Sequence, residues 1–177
     1  MEHDDRLIVA LDFSSLDEAK KLVLELGASV SYYKVGMELY YAAGNDAIKF
    51  LKEQGKHVFL DLKLQDIPNT VAKSLSVLTA LGTDMLNVHA VGGAKMMAEA
   101  AKAVEETAAK MNRPAPKLIA VTVLTSMDEE QWADLSYQKA IADQVVSLAL
   151  LAKKSGLDGV VASPQEAEAI RKACGPD

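Results

Sequence analysis

The sequence predicts an α/β fold of six β/α units, an incomplete (β/α)8 barrel with parallel strands inside and helices outside. Three observations predict it. Apolar runs of β character alternate with helical patterns along the chain, and such strict alternation implies a parallel sheet covered by helices. Polar residues recur where those runs end, at Asp12, Lys34, Asp61 with Lys63, His89 and Thr125, and barrel enzymes gather catalytic groups from several strands at that one face. No Gly-x-Gly-x-x-Gly follows the first run, which weighs against the competing doubly wound, dinucleotide-binding sheet. A complete barrel takes about 250 residues. The 177 residues here reach the end of a sixth unit, so two units are expected to be missing.

In chain order, the first run is Leu7 to Asp12, followed by Ser14-Ser15 as a candidate helix cap. A helix follows with Ala19, Leu22, Val23 and Leu26 on one face, and Gly27 is placed to stop it. Tyr32 to Gly36 is the second strand, and residues from about 38 to 53 read as one helix with Ile48 and Leu51 inward and Gly55 at its end. His57 to Leu64 is the third strand: Val58, Leu60 and Leu62 alternate with Phe59, Asp61 and Lys63, which puts a carboxylate and an ammonium on one face, two residues apart. Pro68 then opens a helix with Val71, Leu75 and Leu78 aligned, since proline is tolerated at the first helical position. Asp84 to Ala90 is the fourth strand, and after Gly92-Gly93 comes a long helix with Met97, Ala100, Val104 and Ala108 on one side. Lys117 to Leu124 is the clearest β run, preceded by Pro114 and Pro116. A polar loop from Thr125 to about Leu135 leads to a helix with Ile141, Val145 and Leu148 in line. Gly156 to Ala162 supplies the sixth strand, and Pro164 opens the sixth helix, which ends near Gly175-Pro176.

The totals suit one domain spanning 1–177: hydrophobic residues are 50% and charged residues 25% of the chain, ordinary for a soluble globular protein. A net charge of −6 argues against nucleic acid or an anionic membrane surface as the main partner. The single cysteine, Cys174, cannot form an intramolecular disulfide and leaves no cysteine-based metal site, which fits a reducing compartment. The opening residues Met1 to Arg6 are polar and acidic with no long apolar segment behind them, so no signal peptide or membrane span is expected and the predicted location is the cytoplasm. The seven methionines, Met96 and Met97 among them, read as core filler. His3 and His57 read as incidental, and Trp132 as a packing anchor or part of a cover over the site.

An Asp-x-Lys pair on a strand is most often a structural ion pair. Here the strand is otherwise apolar, so the charges are expected to be enclosed, and enclosed charges are costly unless paired. Leu11-Asp12-Phe13, Lys34-Val35-Gly36, Asp61-Leu62-Lys63 with Asp66-Ile67-Pro68-Asn69-Thr70, Asn87-Val88-His89-Ala90 and Leu124-Thr125-Ser126 occur in that order across nearly the whole chain. With these motifs the sequence closely resembles the bacterial orotidine 5′-monophosphate decarboxylases, a TIM-barrel family that completes UMP synthesis. The Asp-x-Lys-x-x-Asp element alone is shared with metal-dependent sugar-phosphate enzymes of the same superfamily, and the continuation Ile67-Pro68-Asn69-Thr70 selects the decarboxylase.

The resemblance implies a cofactor-independent, metal-free decarboxylation of orotidine 5′-monophosphate to UMP by a cytoplasmic homodimer. It implies Lys63 as the proton donor to C6 of the pyrimidine, within a charge network of Lys34, Asp61, Lys63 and Asp66. Asp61 would lie beside the substrate carboxylate, Lys34 and Asp12 at the ribose, and Thr125 at the pyrimidine. Asp66 would reach across the dimer interface into the partner's site, with Ile67 and Thr70 as further substrate contacts. Gln65 stands where the family commonly carries His. The family continues into a seventh and an eighth strand bearing the Gln, Gly and Arg that bind phosphate, and the sequence stops short of them. An alternative is therefore a truncated, inactive folding module, or one part of a split barrel, which needs another chain to complete the phosphate site. Its exposed sheet edges would favour self-association or capture of a complementing C-terminal fragment. A further alternative is a metal-dependent sugar-phosphate lyase or isomerase.

Overall fold

The structure, a computed structural model, describes residues 6–176; His3 and the rest of the acidic opening stretch 1–5 lie outside the described residues. Among the described residues six parallel strands form one sheet: β1 (Ile8–Ala10), β2 (Tyr32–Gly36), β3 (His57–Leu64), β4 (Met85–His89), β5 (Lys117–Val121) and β6 (Gly159–Val161). They lie side by side in sequence order. A doubly wound sheet reverses its strand order at a switch point; this sheet never reverses, as expected of a barrel that has not closed. β1 and β6 are its two edges.

The helices are α1 (Leu16–Leu26), α2 (Met37–Ala43), α3 (Asn45–Glu53), α4 (Pro68–Ala80), α5 (Gly93–Lys110), α6 (Glu129–Asp134), α7 (Ile141–Lys154) and α8 (Ala167–Cys174). One set of alternating strand residues packs against them. Tyr33 and Val35, Val58 and Leu60, Leu86 and Val88, and Leu118 and Ala120 join Val71, Leu75, Met97, Val104, Val145 and Leu148 in a single buried core. Burial of each leucine or valine in such a core contributes about 1.5–3 kcal/mol. The other set, which includes Lys34, Asp61 and Asn87, faces away from the helices, towards the barrel interior. The sequence pattern thus separates a greasy outer layer from an inner face free to carry charge.

Four expectations change. The helix read over residues 38–53 is two helices, because Gly44 adopts φ 58° and its N–H closes on the Tyr40 carbonyl at 2.6 Å, a conformation that favours glycine. The loop after Thr125 contains α6, whose start is capped by Asp128 Oδ1 accepting the Gln131 N–H at 2.8 Å. Trp132 is buried there, donating Nε1–H to the Lys139 carbonyl and stacking on Tyr137 with ring centroids 4.2 Å apart, so it anchors its own segment. β5 ends at Val121, three residues before the apolar run does, and β1 and β6 are likewise shorter than their runs. Finally, β3 does not keep its period of two: its pairing with β4 shifts between Leu60 and Leu64, and Lys63 takes φ 52°.

Candidate active site

The charged cluster stands at the C-terminal ends of β1, β2 and β3. Lys63 Nζ lies 2.7 Å from Asp61 Oδ1, and Lys34 Nζ lies 2.9 Å from Asp12 Oδ1 and 3.7 Å from Asp61 Oδ2. The four residues form a chain of alternating sign, Asp12, Lys34, Asp61, Lys63. Asp61 is the enclosed member, with its side chain 10% exposed, whereas that of Asp12 is 63% exposed. Burying a carboxylate is tolerable only when its oxygens are satisfied. Here Oδ1 accepts from both Lys63 Nζ and, at 2.6 Å, Asn87 Nδ2, while Oδ2 faces Lys34.

Local backbone makes this possible. Gly36 pairs with Asp61 across the sheet, and a Cβ on it would meet Lys34 Nζ at 3.2 Å and Asp12 Oδ1 at 3.5 Å. A side chain there would crowd the ion pair, so the glycine of Lys34-Val35-Gly36 supplies space rather than an unusual φ. On β4, Asn87 and His89 share the inward face. His89 has its pKa lowered from the ordinary value by burial, then by the Lys63 charge, with Asp61 opposing in part. A neutral imidazole therefore neighbours the cluster at neutral pH.

The remaining expected residues are not gathered in. Asp66 is exposed and its Oδ1 accepts the N–H of Ile67 at 2.6 Å, so within one chain it stands outside the Lys34–Asp61–Lys63 chain of charges. Ile67 is 66% exposed, and Thr70 and Thr125 are exposed as well. In the sequence Asn87 stands within the Asn87-Val88-His89-Ala90 motif with no role implied for it. The signal for it was an amide inside the apolar run Met85-Leu86-Asn87-Val88, where it is 2% exposed.

Other ion pairs sit at the opposite, N-terminal end of the sheet. Asp84, just before β4, accepts the Val58 N–H at 2.7 Å, pairs with Lys52 at 2.8 Å and lies 3.1 Å from His57 Nδ1. His57 is thus tied into the fold. Asp158, just before β6, repeats the arrangement with the Leu118 N–H at 2.8 Å and Lys117 at 3.0 Å.

Among the described residues no helix is long and apolar enough to cross a membrane. Residues 5–177 match the family model described as "Orotidine 5'-phosphate decarboxylase / HUMPS family". The orotidine 5′-phosphate decarboxylase of Moorella thermoacetica is 52% identical over 178 residues, covering all of this chain and 71% of the relative. That of Syntrophomonas wolfei is 46% identical over 179 residues, with 75% of the relative covered. A crystal structure of the Lactobacillus acidophilus enzyme of that name superposes with a TM-score of 0.88 at 40% identity, over 97% of this chain and 77% of that one. The chain, six parallel β/α units of a TIM barrel spanning about three quarters of its relatives' length, belongs to the orotidine 5′-phosphate decarboxylase family.

Proposed function

We propose that this chain carries the reacting end of an orotidine 5′-monophosphate decarboxylase, releasing CO2 from C6 of the pyrimidine and leaving UMP. The observation that carries the reading is the Asp12–Lys34–Asp61–Lys63 chain of charges at the C-terminal end of the sheet, the end at which barrel enzymes hold their active sites. When the C6–carboxylate bond breaks, its electron pair stays in an sp² orbital orthogonal to the ring π system, where the ring cannot delocalise it. A fixed cation must stabilise that charge and then supply a proton. Lys63 Nζ does both: it faces the carbanion, donates a proton to C6 and is reprotonated from solvent. At about 4 Å and an effective dielectric near 20, one such contact is on the order of 4 kcal/mol, roughly three decades of rate if confined to the transition state.

Asp61 lies beside the substrate carboxylate and holds Lys63, and Lys34 and Asp12 take ribose hydroxyls. The exposure of Asp66 and Ile67 on the loop after β3 and of Thr70 in the first turn of α4 supports their service to a second copy's site in a homodimer, and exposed Thr125 is free to meet the pyrimidine. No cofactor is needed in this scheme. Both oxygens of Asp61 already face donors or cations, which favours a charge network over a metal-ligand role in a sugar-phosphate enzyme. The phosphate grip would come from two further β/α units, whose remote binding energy helps organise the reacting end.

The test is decarboxylation of orotidine 5′-monophosphate by the purified chain, alone and with a segment supplying two further β/α units. Turnover in either arm supports the reading, and turnover only with the added segment assigns the chemistry to this chain and the phosphate grip to the other. Absence of turnover in both arms, from a reassembled and folded barrel, overturns it.

A further inference from the structure

β3 and β4 are paired at Leu60 with Leu86 and again at Leu64 with Val88. Between those points β3 uses four steps where β4 uses two, so Asp61, Leu62 and Lys63 arch over Asn87. At the crest Lys63 adopts φ 52°, a sparsely populated region for a residue with a side chain, held only where its surroundings fix it. The arch removes the Lys63 N–H from the strand ladder, and Asn87 Oδ1 accepts it at 2.8 Å. The other end of the same amide, Nδ2, donates to Asp61 Oδ1 at 2.6 Å. The amide has one workable orientation. Turned over, it would set its NH2 against the Lys63 N–H and its oxygen against the carboxylate.

We propose that Asn87 is a positioning residue, a buried two-point clamp that fixes the left-handed backbone of Lys63 and the carboxylate of Asp61 relative to each other. It touches neither reacting atom in the scheme above; it acts through the pair that does. This inference rests on Lys63 being the proton donor. The bulge lifts the lysine out of regular strand geometry, and the clamp makes that displacement reproducible instead of loose. A small misplacement of a reacting group is expensive in rate, about a hundredfold for 1 Å, so the clamp should show in kcat more than in KM.

The experiment measures amide exchange at Lys63, with Leu86 and Val88 as internal references, together with steady-state turnover under the conditions that support wild-type activity. In Asn87→Ala the Lys63 amide should exchange at least about tenfold faster while the references hold, and kcat should fall about a hundredfold with KM changed less than about twofold. Asn87→Asp separates the two contacts: it keeps an acceptor for the Lys63 N–H, so protection stays, but sets a second carboxylate against Asp61, so turnover is lost. If Asn87→Ala does not fold, Asn87→Ser, too short to span both partners, carries the same readouts. Unchanged protection of Lys63 in the folded Ala or Ser variant overturns the clamp. Lost protection with unchanged kcat overturns its bearing on the chemistry. A wild-type barrel with no turnover defeats the decarboxylase reading instead, and the exchange result still decides the clamp.

Discussion

The two ends of the sheet carry the same kinds of residue in different surroundings. At the N-terminal end, Asp84 and Asp158 each accept a backbone N–H from the start of the preceding strand, Val58 or Leu118, and each pair with one lysine. Those carboxylates fasten neighbouring strands, and their role is finished once the chain is folded. At the C-terminal end, Asp61 accepts from two side chains, Lys63 and Asn87, and faces a third, Lys34. None of these contacts ties Asp61 to a neighbouring strand's backbone. What distinguishes a fastening ion pair from a candidate reacting group is therefore the partner set: a backbone N–H with one lysine in the first case, and three converging side chains, two lysines and an amide, in the second.

The largest effect expected from this contrast is at Lys63. Lys63→Ala should lower decarboxylation by about a thousandfold or more while the far-ultraviolet circular dichroism and the urea midpoint stay close to wild type. The side chain is at a strand end and contributes little to the core. Near-normal turnover would remove Lys63 from the chemistry.

Asp84→Ala should do the reverse. Losing the acceptor for the Val58 N–H and the partner of Lys52 should cost about 1–3 kcal/mol in urea unfolding, with kcat per folded molecule unchanged. Asp158→Ala, just before the edge strand with its side chain 37% exposed against 27% for Asp84, should cost less, about 1 kcal/mol. Equal losses at the two sites would mean that the sheet edge is as firmly held as its centre.

The smallest effect is on pH dependence. Burial and the Lys63 charge lower the pKa of His89 in the folded protein, so as pH falls through the ordinary histidine value the unfolded chain takes up its proton first. Stability from this source is intact above about pH 6.5 and declines below it. His89→Gln should flatten that part of the profile in urea midpoints taken between neutral and mildly acid pH. An unchanged slope would mean that other groups set it.

Apolar runs placed the six strands, and helical spacing with its start and stop signals placed the six expected helical regions, because burying a face is a demand each segment meets with its own residues. The sequence also marked Asp12, Lys34, Asp61 and Lys63 as polar ends of apolar runs, and the structure brings these four together. It did not reveal Gly44 dividing one helix into two, the helix around Trp132, or the ends of β5 and β6. Those depend on φ values and on where a neighbouring strand stops offering hydrogen bonds.

What the sequence determined by itself was the alternation, the layer that faces the helices, and the chemical types available at the strand ends. Only the tertiary structure decided the bulge in β3, the left-handed Lys63, the Asn87 clamp, and the division of carboxylates into strand fasteners and a converging cluster. The physical reason is separation along the chain. Asn87 lies 24 and 26 residues from its partners Lys63 and Asp61, and Asp84 and Asp158 lie 26 and 40 from the amides they accept. Local propensity carries no information about pairings of that range, which exist only once the strands have been set side by side.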